Sequence, residues 1–91
     1  MAEEVTDNRE RGRYELDVAG QVVFANYRRQ GATILIRYVE APPALRGTGA
    51  AGRLMEGVVA IARAEGLKIR PLCSYAAAWM HRHPEHADLL G

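Results

Sequence analysis

The chain has 91 residues, 48% hydrophobic and 25% charged, with a formal net charge of +1. That is ordinary composition for one globular domain, and the near balance of charge argues against a nucleic-acid or anionic-membrane partner. The single cysteine, Cys73, excludes an internal disulfide and a CxxC metal knuckle, and a lone thiol fits a reducing compartment.

Residues 1–12 carry Glu3, Glu4, Asp7 and Glu10 and have no apolar centre, so they read as a loose charged arm and not as a signal peptide. One domain is expected over 13–91. The longest apolar runs, 58–62 and 75–80, are too short to cross a membrane, so a cytoplasmic location is expected. Residues 13–18 alternate polar and apolar side chains (Tyr14, Leu16, Val18), which is strand periodicity. Ala19-Gly20 makes a turn into a second strand over 21–28, rich in Val22, Val23, Phe24 and Tyr27. After Arg29-Gln30-Gly31 a third strand runs over 32–40, with Ile34, Ile36 and Tyr38 expected on one face and Leu35 and Val39 on the other. Short turns make these three strands an antiparallel meander.

Pro42-Pro43 ends the third strand. Leu45-Arg46-Gly47-Thr48-Gly49-Ala50-Ala51 then reads as a turn opening a helix over 50–65, whose core face is Leu54, Met55, Val58, Ile61 and Ala62. Two glycines in three positions let backbone approach a ligand. Unpaired N–H groups at a helix start, the helix dipole and the Arg46 guanidinium together suit a pyrophosphate. Gly66 is the expected helix stop. A fourth strand follows over 67–72, Ser74 is the expected N-cap of a helix over 75–82, and Pro84 opens a last short helix. The order is β-β-β-α-β-α-α, an α/β fold of the α+β type, with strands 32–40 and 67–72 parallel across the helical crossover. His81, His83 and His86 do not share one helical face, and no metal site is expected.

The chain resembles the Gcn5-related N-acetyltransferase superfamily, and within it a small group of minimal acetyltransferase-like proteins. The hexapeptide Arg46-Gly47-Thr48-Gly49-Ala50-Ala51 meets the superfamily signature Arg/Gln-x-x-Gly-x-Gly/Ala, and Pro71-Leu72-Cys73-Ser74 followed by His83-Pro84-Glu85 matches the small group. The likeness spans roughly residues 14–90. It implies the acyl-CoA N-acyltransferase fold, acetyl-CoA as the bound partner and an unidentified amine as acceptor. The pyrophosphate would sit on Leu45, Arg46, Gly47, Thr48, Gly49, Ala50 and Ala51, with Arg53 one turn on. The pantetheine arm would lie in a splay between the two parallel strands, paired to backbone of Val39, Glu40 and Ala41. Two features depart from the group. Tyr38-Val39-Glu40 stands where a His-Thr-Glu triplet is common, and the front helices that cover the acceptor site in full-length relatives are missing.

Four side chains are candidates for the chemistry. Cys73 ends a strand just ahead of a helix N-terminus, a setting that favours a reactive thiolate and an acetyl-Cys73 intermediate; a small buried apolar residue is the alternative. Glu40 is a candidate base for the incoming amine if burial tunes it, and otherwise a solvated strand-end carboxylate. Tyr38 or Tyr75 could protonate the departing thiolate, or be core residues with the hydroxyl at the surface. A non-catalytic coenzyme A-binding module is the rival reading. The small core suits a monomer or a weak homodimer.

Overall fold

The computed structural model describes residues 4–91. Met1, Ala2 and Glu3 of the charged arm lie outside the described residues. Five strands form one sheet in sequence order: β1 (Thr6–Asn8), β2 (Arg13–Val18), β3 (Gln21–Gln30), β4 (Thr33–Glu40) and β5 (Lys68–Pro71). Neighbours are antiparallel except β4 and β5, which are parallel and joined through helix α1 (Ala50–Glu65). Helix α2 (Ser74–Arg82) follows, and the short last helix is a 3-10 turn over Pro84–Leu89. The meander and the parallel crossover are as expected.

The polar arm contributes more than its composition suggests. Its residues 6–8 form edge strand β1, and Tyr27 donates its hydroxyl to Asp7 Oδ1 at 2.6 Å while stacking on Tyr14 at 4.5 Å. Burial, followed by the Asp7 hydrogen bond and charge, pushes the Tyr27 phenol up to about 12. Val5 packs into the gap left by Gly57 of α1, where a Cβ would lie 2.6 Å from the Val5 Cβ. A glycine in mid-helix costs about 1 kcal/mol relative to alanine, and here it gives the arm its seat.

One face of the sheet carries the core. Leu16, Val23, Ala25, Ile34, Ile36 and Ile69 are buried against Leu54, Met55 and Val58 of α1 and Ala76, Trp79 and Met80 of α2. Both helices therefore pack on the same face. Val22, Phe24 and Leu35, on the other face, do not join the core and are only half-buried.

A bulge in β4 corrects the expected face of Tyr38. The register with β3 shifts between Asn26 and Tyr27, where Tyr27 pairs with Ile36 and Asn26 with Tyr38, so Arg37 is the extra residue. Arg37 donates to the Asn26 side chain at 2.8 Å. An extra residue flips the alternation that follows it. Val39 thus comes opposite buried Ala25 and faces the helices, while Tyr38 meets Phe24 edge-on at 6.0 Å on the open face. Helix α2 also starts one residue earlier than expected. Cys73, not Ser74, is the N-cap, its sulfur accepting from the Ala76 N–H at 3.4 Å.

Candidate functional site

Between the end of β4, the turn before α1 and the start of α2 lies a cleft of about 500 Å³. Its walls are Val39 and Glu40 from β4, Ala41 just past it, Leu45, Arg46, Gly47 and Gly49 from the turn, Ala50, Ala51 and Gly52 from α1, and Tyr75 from α2. Sequence dictates the approach. Pro42 and Pro43 cannot extend the ladder, and a 3-10 turn over Pro43–Leu45 follows. Buried Leu45 anchors that turn. Gly47 and Gly49 then adopt φ of 77° and 84°, which a side chain would strain. Gly49 is the N-cap of α1 and brings no side-chain cap.

The consequence is a ring of free donors. Within the turn, the Arg46 and Thr48 N–H groups bond inward to Pro43 and Leu45 carbonyls, and the Arg53 N–H bonds to Gly49. The Ala50 N–H has only the Thr48 hydroxyl, at 3.4 Å. The N–H groups of Gly47, Gly49, Ala51 and Gly52 meet no acceptor among the described residues. The first turn of α1 also contains no acidic residue that would offset the dipole there. Unpaired donors at a helix start bind an anion. Arg46 borders the cleft, and its Nε donates to Ala41 O at 3.1 Å, which fixes the guanidinium between the turn and β4.

Beyond Ile36 the two parallel strands part. The last tie is the Leu72 N–H to Ile36 O at 2.8 Å; there the chain leaves β5 for α2, while β4 runs on to Glu40. The β5-facing edge of β4 from residue 37 on is left without a strand beside it. A linear ligand with amide groups can take that place.

The expected binding residues gather well. Val39, Ala41, Leu45, Arg46, Gly47, Gly49, Ala50 and Ala51 all border the cleft. Thr48 turns its hydroxyl inward to Leu45 O, and Arg53 hydrogen-bonds Thr48 O at 3.3 Å, so both brace the turn. The catalytic candidates are more dispersed. Cys73 is half-buried at the end of the strand split, and Tyr38 is 47% exposed on the open face; neither borders the cleft. Glu40 borders it through its place on β4, but it pairs with Phe24 and is exposed, so the burial expected to tune it is absent. Tyr75 does border the cleft, and burial raises its pKa, partly offset by Arg82. Sequence reasoning passes over Gly52. A Cβ there would lie 3.7 Å from Trp79 Nε1 and 3.9 Å from the Tyr75 hydroxyl, so this glycine keeps the space between α1 and α2 open. The glycine spacing 47, 49, 52 is the signal that points to it.

The profile of the GCN5-related N-acetyl-transferase family matches residues 13–89. The chain belongs to the GCN5-related N-acetyltransferase family. Its fold is shared by a GCN5-like protein of Staphylococcus aureus solved by NMR in solution, with a TM-score of 0.72 and 21% identity over 99% of this chain and 89% of that one. No curated protein matches the chain. The free amides and Arg46 around the cleft fit an anionic group such as a diphosphate. Among the described residues there is no cluster of three metal-ligating side chains and no helix long and apolar enough to cross a membrane.

Proposed function

We propose that the chain transfers the acetyl group of acetyl-CoA to an amine. The observation that carries this reading is the set of unpaired amides at Gly47, Gly49, Ala51 and Gly52 around one cleft. They and Arg46 take the diphosphate. The pantetheine amides pair with the backbone of residues 39–41 at the end of β4, where β5 has ended. This places the thioester in the strand split, between the cleft on one side and Tyr38 and Glu40 on the other.

The acceptor amine attacks the thioester carbonyl; the C–N bond forms as the C–S bond breaks. Tyr75 is the residue placed to return a proton to the departing thiolate, since burial keeps its phenol protonated. The proton lost by the amine passes to solvent at the open split, where Glu40 is an exposed strand-end carboxylate. A covalent route divides this step: the Cys73 sulfur takes the acetyl group, coenzyme A leaves, and the amine then releases the cysteine. What supports the covalent route is the position of Sγ at the N-terminus of α2 beside the split. The lone thiol suits a reducing, cytoplasmic location.

The second reading is a coenzyme A-binding module without turnover. It is favoured by the cleft walls, which include neither Cys73 nor Tyr38. An amide NMR titration with coenzyme A and then acetyl-CoA tests the shared premise: the signals of residues 47–52 shift. Unmoved signals at millimolar ligand end both readings. Turnover with any of a panel of amines decides for the enzyme. An acetyl adduct on Cys73 that Cys73→Ser lacks and that an amine discharges decides for the covalent route.

A further inference from the structure

The face of the sheet away from the helices carries charge that the proposed chemistry has not used. Arg28 of β3 pairs with Leu35 of β4, and Leu35 with Arg70 of β5. Ile34 and Ile36 are buried on the core face, so all three point to the open one. The bulge adds Arg37 to the same face, beside Asn26 and the split. Arg28, Arg37 and Arg70 are exposed, and none of them forms an ion pair with an aspartate or glutamate among the described residues. Arg37 spends its Nε on Asn26 and Arg70 its Nε on Gly91 O. The acidic groups of this face are elsewhere or engaged. Glu15 is held by Arg13 and Asn8, Asp17 sits on β2 and caps the turn at Gly20, and Glu40 alone stands near the split. Two apolar side chains flank the split in the open, Tyr38 at 47% and Leu72 at 54% exposure.

We infer that the acceptor is a lysine in an acidic segment of a protein, laid on this open face with its side chain in the strand split. The inference rests on the acetyl-CoA reading of the cleft. Two physical points select this class. Small amines are held in concave sites that surround them, whereas this face is the open side of the sheet, with both helices packed on the other. A bare cation such as a polyamine meets Arg37 and Arg70 at the split and is repelled. Carboxylates on either side of a lysine pair with the arginines and offset that repulsion. Tyr38 and Leu72 then cover the apolar part of the lysine stem. In the transfer, the neutral lysine Nζ forms the amide bond as the thioester C–S bond breaks, and coenzyme A leaves as its thiol.

The test uses two blocked peptides with one central lysine, flanked by aspartate and glutamate in one and by arginine in the other. Each is titrated into the protein saturated with acetyl-CoA. The acidic peptide is expected to shift the amides of Arg28, Arg37, Tyr38, Arg70 and Leu72 and to be acetylated about tenfold faster, with the advantage fading in high salt. Arg37→Glu and Arg28→Glu, each with an unchanged response of residues 47–52 to acetyl-CoA, are expected to remove the preference. Equal rates for the two peptides overturn the inference, as does faster transfer to spermidine or stronger open-face shifts with a single-stranded RNA oligonucleotide. If acetyl-CoA leaves residues 47–52 unmoved, the parent reading fails and this one with it. If those residues respond and the peptides do not, only the acceptor is wrong.

Discussion

The two ends of α1 are built from the same residue type for opposite purposes. Gly49 and Gly66 both sit in the left-handed region, with φ of 84° and 69°. At the C-terminal end, Gly66 N–H bonds to Arg63 O and Leu67 N–H to Ala62 O at 2.8 Å. This is a Schellman closure, completed by buried Leu67 and by basic Arg63 in the last turn. At the N-terminal end there is no side-chain cap from Gly49, no acidic residue in the first turn, and unpaired amides aimed at a cleft. One end satisfies its orphan groups within the protein. The other leaves them for something else. Unpaired donors at a helix start are free to meet solvent or a ligand, so the asymmetry is what makes this end the candidate site.

The largest expected effect separates the two ends by ligand. Acetyl-CoA is expected to raise the melting temperature of the natural chain, and Arg46→Glu combined with Gly49→Val to abolish that rise. Losing a charge-assisted contact and blocking the turn should weaken binding by about 3 kcal/mol or more. Calorimetry with coenzyme A measures it. Retained affinity would mean that the open end of α1 holds no diphosphate.

Next comes the closed end. Leu67→Ala deletes a side chain that is only 3% exposed, and should cost about 2–3 kcal/mol in denaturant unfolding. Coenzyme A affinity should not change. Gly66→Ala is gentler: nothing lies within 4 Å of the new Cβ, so the cost is the left-handed backbone alone, about 1 kcal/mol. Gly49→Ala carries a similar backbone cost, with its Cβ 3.8 Å from Arg53 Nη1. The pair thus matches folding cost and differs in binding. If Gly66→Ala weakened coenzyme A as much as Gly49→Ala does, the two ends would be coupled through the helix and the comparison would break.

Much of this contrast is legible in the amino-acid sequence. Glycine at 66 ends a run with helical period, and the proline pair, arginine and spaced glycines announce the opposite end. Fold order and strand pairing follow from periodicity and short turns. Three features are not legible in this way. The β4 bulge adds a residue without any glycine or proline to mark it, and so moves Tyr38 to the other face. Strand β1 hides in a polar arm because its pairing depends on Tyr27 and on the seat at Gly57, both distant in sequence. The place of Cys73 between a strand and a helix suggests a nucleophile or a core residue, whereas its immediate role is to cap α2. Local composition carries helix ends well, but it does not carry register or contacts made across the sheet.

The smallest expected effect concerns that cap, and it sharpens the contrast by adding a third helix end. The N-terminus of α2, unlike that of α1, receives a side-chain acceptor from its own N-cap residue, the Cys73 sulfur on the Ala76 N–H. Sulfur is a weak acceptor and the bond is long, so replacing it by the stronger oxygen of Cys73→Ser should leave stability unchanged or slightly improved. Cys73→Ala should lose about 0.5–1 kcal/mol, read as a lower urea midpoint. The two variants together also separate capping from chemistry. A residue that only caps is rescued by serine in both stability and transfer rate. A nucleophile is rescued in stability alone, because a serine hydroxyl in the same position keeps the bond to Ala76 but does not replace a thiolate toward a thioester.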